Sequence, residues 1–443
     1  MAMYVTSLFF LILCFIASFH LLSASPQTRP PTSLHINLVH TGFMHAQDQN
    51  YISHIQTAST ERLNYLRAKA TGNFIAHITP LQSPPAFLAN VSIGVPPVTQ
   101  MLHMDTASSL LWLQCRPCSS CYPQNFPIYD PSSSFTYQHE PCETSLSSFP
   151  YLTFDPETGV CSYSITYMDG SRSSGTLASE TLTFNTIYEW SIATLPYVVF
   201  GCGNDNDVGP YQSSLSGVLG LGYGNLSLVR RFGSKFSYCF DRLSNPSYPY
   251  NVLVIGDDGA EIMGDKTPLE IHNGLYYLTL EGISVDGKSL PIDPHVFQRD
   301  YKTGDGGTII DTGCSITSLV RVAYDALMNE IGVFLDRRFK PVVNNKNPMK
   351  CYVGDFDRDL VRLGFPVVNF HFSGGAELSL DVKSLFMKAQ TGAASFCLTI
   401  MPSVDEDLSV IGAMSQQGYN VGYDLEAKVV SFDRIDCGIL FDN

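Results

Sequence analysis

The stretch Met104-Asp105-Thr106-Ala107-Ser108-Ser109-Leu110-Leu111-Trp112 decides the reading of this chain once it is set beside Ile309-Ile310-Asp311-Thr312-Gly313-Cys314-Ser315-Ile316-Thr317. Each places an Asp-Thr pair after largely apolar residues and then turns on small ones. One such match is weak, but two in register point to a duplicated lobe.

Composition agrees with a large, strand-rich protein. The 443 residues are 44% hydrophobic and 15% charged, enough to bury more than one core. Aromatic content of 12%, with 34 Gly and 26 Pro, favours pleated strands and turns over long amphipathic helices, so the expected fold is mainly β. Lys and Arg number 26 against 41 Asp and Glu, and the net charge of −15 repels nucleic acid and anionic membranes. Neither is an expected partner.

The N-terminus reads as a secretory signal over residues 1–25, with an apolar run from Leu8 to about Leu22 and then Ser23-Ala24-Ser25. That run is shorter than the ~20 residues a spanning helix needs. Cys14 falls inside it, so an odd number of the 12 cysteines remains. A secreted chain puts most of them into disulfides, and Cys314, inside the second Asp-Thr turn, is the expected free one. Cys115, Cys118 and Cys121 have a spacing that zinc can use, but no histidine stands close by in sequence. No metal and no cofactor are expected.

Residues 26–81 read as a removable propeptide whose basic residues cover an acidic cleft. Within it, Ser59-Thr60-Glu61-Arg62-Leu63-Asn64-Tyr65-Leu66-Arg67-Ala68-Lys69 is helix-like: Leu63 and Leu66 share a face, and Ser59 or Thr60 can cap it. From Ala89 onward, short alternating runs are broken by turns, as in Asn90-Val91-Ser92-Ile93-Gly94-Val95-Pro96-Pro97. Asn90 and Asn225 each begin a glycosylation sequon, and Asn225, beside Gly224 in an expected loop, is the better acceptor.

With these residues the chain resembles the pepsin-like aspartic proteases, and most closely their plant nepenthesin-like branch. The resemblance runs from about Asn90 to Cys437. It rests on the two Asp-Thr turns, on Tyr163-Ser164-Ile165-Thr166-Tyr167-Met168-Asp169-Gly170-Ser171 as a flap hairpin, and on Gly217-Val218-Leu219-Gly220-Leu221-Gly222 and Ser409-Val410-Ile411-Gly412 behind the turns. The cysteine-rich run from Cys115 and the stretch Gln416-Gln417-Gly418-Tyr419 also match.

It implies a bilobal β fold with a cleft between an N-terminal lobe, 82–265, and a C-terminal lobe, 266–443. Asp105 and Asp311 would be catalytic, with Thr106, Ser108, Thr312, Gly313 and Trp112 in support. Tyr167, Asp169 and Gly170 would belong to a substrate-binding flap. Strand alternation puts His103 on the face of Asp105, where it would line a substrate subsite. The expected protein is a monomeric, secreted endopeptidase of the apoplast, or of the vacuole, acting on polypeptides.

The chemistry explains the pairing. Hydrolysis without a covalent intermediate needs one group to accept a proton from water and one to donate to the carbonyl oxygen. Two carboxyls roughly 3 Å apart cannot both ionise, so they share a proton and can do both. Two positions depart from the family pattern: Ala107 stands where glycine is usual and Cys314 where Ser or Thr is usual, and a thiol is a weak donor to the second aspartate. These departures allow for reduced activity, or for a pepsin-fold binding or inhibitor protein without catalysis. A cysteine protease would need a base such as His371 beside Cys314, with a third group to orient it.

Overall fold

A computed structural model describes residues 33–40, positions 55, 56, 59, 60, 62, 63 and 66, and residues 87–441 apart from 143–150, 167–170, 186–191, 208–214, 242–247, 258–259, 343–348, 390–393 and 405–406. The signal segment and the flap residues Tyr167, Asp169 and Gly170 therefore lie outside the described residues.

The chain is mainly β, and its two halves repeat one arrangement. In the first, the strand Val98–Asp105 runs into the Asp-Thr turn, Gly217–Gly220 lies parallel beside it, and the return strand Trp112–Gln114 pairs antiparallel with the same partner. In the second, Gly307–Ile310 leads into Asp311, Leu408–Ile411 lies parallel, and the return strand Thr317–Leu319 meets it at Ser318 and Val410. The threading strand passes so close behind each turn that only glycine fits at its end. A Cβ on Gly220 would lie 2.6 Å from the Ser109 backbone, and one on Gly412 2.5 Å from the Ile316 carbonyl oxygen.

The halves are joined by an antiparallel sheet that draws strands from both. Val252–Ile255 pairs with Lys235–Phe240, which pairs with Tyr419–Asp424, then Val429–Asp433, then Asp265–Pro268. On the other side of Val252–Ile255 lies Leu34–His40, from the expected propeptide, which continues onto Phe87–Ala89. Its Leu34, Ile36 and Leu38 are buried while the residues between them are half-exposed, the period-two pattern of a strand with one face on a core. The longest helix among the described residues, Arg321–Asp336, buries Ala323, Tyr324, Leu327, Ile331 and Leu335 at helical spacing. No helix among the described residues is long and apolar enough to cross a membrane.

Among the described residues five disulfides join Cys115 to Cys202, Cys118 to Cys121, Cys142 to Cys161, Cys239 to Cys437 and Cys351 to Cys397, leaving Cys314 free and buried. One buried acid stiffens the first half. The Glu180 carboxylate accepts from the Tyr129 hydroxyl at 2.5 Å, from Ser134 at 2.6 Å, from Thr136, and from the Thr181 N–H at 2.6 Å. Glu180→Ala should strand these donors and cost about 3 kcal/mol, with Glu180→Gln costing less because its amide oxygen still accepts. Chemical denaturation reads this directly, and an unchanged midpoint for Glu180→Ala would refute it.

Candidate active site

Asp105 and Asp311 face each other where the two halves meet, 1% and 0% exposed. Each carboxylate is held by its own turn: the Ala107 N–H donates to Asp105 Oδ1 at 2.8 Å and the Gly313 N–H to Asp311 Oδ1 at 3.1 Å. The threonines cross between the halves. The Thr106 N–H donates to Thr312 Oγ1 at 3.2 Å and the Thr312 N–H to Thr106 Oγ1 at 3.0 Å. Each hydroxyl then spends its proton on the other turn's surroundings, Thr106 on Asp311 Oδ1 at 3.2 Å and Thr312 on the Met104 carbonyl at 3.1 Å. The two turns are thereby fixed relative to one another by groups with no access to water.

Asp311 has a further buried support that sequence reasoning did not find. Its N–H donates to the Ile411 carbonyl at 3.1 Å, and Gln416 Nε2 donates to the same carbonyl at 3.0 Å. Gln416 in turn accepts from the Tyr238 hydroxyl, which lies 3.0 Å from that of Tyr423. Tyr238 comes from the first half and Gln416 from the second, so no local pattern announces the link.

Arg62 occupies the space between the carboxylates. Its Nε donates to Asp311 Oδ2 at 2.7 Å, Nη2 to Asp311 Oδ1 at 3.0 Å and also to Asp105 Oδ1, and Nη1 approaches Asp105 Oδ2 at 3.5 Å. The guanidinium lies over Gly313, where a Cβ would stand 2.5 Å from Nη2. A planar fork with several donors suits such bridging in a way that one ammonium does not. Burial alone would raise the proton affinity of Asp105, but the Arg62 charge, with His103 and the Ser108 hydroxyl, outweighs it and holds the carboxyl down at about 2. A positive charge between the two carboxylates offsets their mutual repulsion. The basic propeptide and the helix-like pattern of 59–69 both pointed toward this segment, but neither singled Arg62 out.

The other candidates fall around this centre. His103 is half-buried on the strand that ends at Asp105. Trp112 is buried in a cluster with Leu110, Tyr163, Leu177 and Val218. Ala107 lies outside the left-handed backbone region, so its methyl carries no backbone strain. The Cys314 thiol donates to the Ile316 carbonyl at 3.1 Å, and burial together with the Asp311 charge pushes it up to about 12, which leaves it a thiol and not a nucleophile. His371 is engaged by Glu377 at 2.9 Å and Ser284 at 2.7 Å, which gives a Cys-His pair no support. Asn225 is exposed in a turn, whereas Asn90 is half-buried within a strand opposite Met101. Among the described residues no group of three or more His, Cys, Asp or Glu is placed to hold a metal.

Comparison with known proteins gives the family and the fold. The family models described as "Xylanase inhibitor N-terminal" and "Xylanase inhibitor C-terminal" match residues 87–257 and 275–434. Aspartyl protease UND of Arabidopsis thaliana is 37% identical over 367 residues, covering 81% of this chain and 88% of its own length. Aspartic proteinase nepenthesin-1 of Nepenthes gracilis is 33% identical over 387 residues, covering 86% and 84%. Among solved structures, that of edgp superposes with a TM-score of 0.67 at 18% identity over 94% of this chain and 97% of its own, and basic 7S globulin from soybean with 0.59 at 21% over 79% and 92%. At those identities the two structures speak for the bilobal fold alone. The chain belongs to the pepsin-like aspartic protease family, in its plant nepenthesin-like branch.

Proposed function

We propose that this chain is the latent form of a secreted, monomeric aspartic endopeptidase that hydrolyses polypeptides at acidic pH. The observation that carries the reading is the pair of buried carboxylates, held by crossed threonines, that meet on one guanidinium. In the active state a water would stand where Arg62 now stands. One carboxyl would take its proton and the other would donate to the peptide carbonyl oxygen, with the proton shared by the dyad and assigned to neither member. Thr106, Ser108, Thr312, Gly313 and Trp112 would keep the geometry, Tyr167, Asp169 and Gly170 would close over an extended peptide, and His103 would line a subsite.

In this reading residues 1–25 are the signal, 26–81 the propeptide, and 82–265 and 266–443 the two lobes, with the apoplast as the site of action. Acid would open the latch. A carboxyl held below its ordinary value favours the closed state above that value and ceases to do so as pH falls through the lowered one. With Asp105 at about 2, the Arg62 contact is intact near neutrality and weakens from about pH 4 downward.

The test is digestion of denatured globin by acid-processed protein between pH 2 and 6, with and without pepstatin. Pepstatin-sensitive cleavage is expected. Its absence across that range would leave the non-catalytic binding protein as the reading.

A further inference from the structure

The two Asp-Thr turns differ at two positions, Ala107 against Gly313 and Ser108 against Cys314, and the differences track one feature of the molecule. Gly313 lies under the Arg62 guanidinium, where any side chain would collide with it. Ala107 and Cys314 belong to one buried apolar cluster with Leu63 and Leu66, closed by residues that include Leu275 and Tyr277. Ser59 is buried beside the Cys314 thiol. One helix turn further back, Ile55 is buried against Ile316, Met349, Met401 and Met414.

Ile55, Ser59, Arg62, Leu63 and Leu66 are each helical and recur at three- and four-residue steps, the spacing of one helix face. That face is buried along its length, with Arg62 at 11% its most exposed side chain. The turns are therefore asymmetric where their ligand is asymmetric. A small apolar methyl and a thiol share a buried cluster with the leucines, and a bare glycine lies under the cation.

We infer that Ala107 and Cys314 are specificity-determining residues for a helical ligand of the pattern Ile-x-x-x-Ser-x-x-Arg-Leu-x-x-Leu, of which residues 55–66 are the resident copy. This deepens the latent-enzyme reading and rests on it, since the ligand's arginine sits on the proposed dyad. It also gives the two departures from the family pattern a task. A glycine at 107 would leave a methyl-sized void under the leucines, and a hydroxyl at 314 would set a polar group against them.

Hydrogen exchange followed by mass spectrometry on the full-length chain at neutral pH tests this without requiring any hydrolysis. Ala107→Gly and Cys314→Ser are each expected to speed exchange of 55–66 about fivefold, and Leu63→Ala more than tenfold, while 34–40 and 419–433 keep the parent's rates. Parent-like exchange of 55–66 in both turn variants would overturn the inference. So would a loosening that spreads equally to 419–433, because the two residues would then be packing their own lobe and not reading a ligand. If globin digestion fails while 55–66 still loosens selectively, the recognition stands and the protease reading falls. If digestion succeeds and 55–66 does not respond, only the recognition is lost.

Discussion

Arg62→Ala should convert the full-length chain from one that needs an acid step into one that cleaves denatured globin at pH 5 without it. Arg62 places a positive charge between two carboxylates that are 1% and 0% exposed. Removing one side of such a buried ionic cluster costs about 3 kcal/mol, which is more than a hundredfold in the occupancy of the docked segment. The charge also cannot be left behind. Without the guanidinium the aspartates are like charges in a dry site, so the pair takes up a proton and enters the state that catalysis requires. Arg62→Lys should fall between the two, because one ammonium lacks the fork that bridges both carboxylates. The measurement is the lag before cleavage at pH 5 in parent and variants. Equal lags would show that something other than Arg62 holds the cleft shut.

The second large effect is expected from Asp105→Asn in the acid-processed protein. The amide oxygen can still accept from the Ala107 N–H, and the crossed threonine bonds do not involve the lost charge, so the turn keeps its shape. What goes is the ability to share a proton with Asp311. Without that, neither the attack of water nor protonation of the peptide carbonyl oxygen has its partner, and kcat should fall about a thousandfold or more. The dyad's acid-side titration should also vanish from the residual pH profile. A variant that keeps a tenth of parental activity, still sensitive to pepstatin, would remove Asp105 from the mechanism. Exchange at neutral pH offers a separate check, since the variant loses one of the two carboxylates that grip Arg62.

How much of this was legible in the sequence follows from the range over which each signal acts. The two Asp-Thr turns can be matched by eye because each is built from the same local run: an apolar strand, an aspartate, a threonine that must reach across, and small residues that let a second strand pass behind. Gly220 and Gly412 are legible for the same reason, since the close approach leaves no choice of residue. The free Cys314 came from counting. The ten bridged cysteines could not be paired that way, because Cys239 and Cys437, for example, are brought together by the sheet that joins the halves and by nothing near them in the chain.

Other parts had only half a signal. Leu63 and Leu66 announced a helix with one apolar face, but the partner of that face lies in the two turns, which no periodicity reports. Arg62 is one of several basic residues in its segment, and only docking selects it. Ile411 and Gln416 stood in stretches that match the family, but the Tyr238 hydroxyl that completes their support under Asp311 comes from the other half and no motif announces it. The thiol at 314 was expected to be a poor donor to Asp311; its bond runs to the Ile316 carbonyl.

The strand Leu34–His40 carries a last consequence. It hems the sheet that joins the two halves, covering the outer side of Val252–Ile255 and then crossing to Phe87–Ala89. In the proposed activation, opening the cleft would ask for the departure of the helix face around Arg62 and not for the unpicking of this hem. A chain severed between His40 and Phe87 would thus migrate as two pieces once denatured and as one body before that. Stripping the hem away as well would bare a row of unpaired N–H and C=O groups along Val252–Ile255, a ready template for another chain. In the proposed latent form, the segment that closes the cleft through Arg62 would thus also cover, through this strand, an edge open to pairing with another chain.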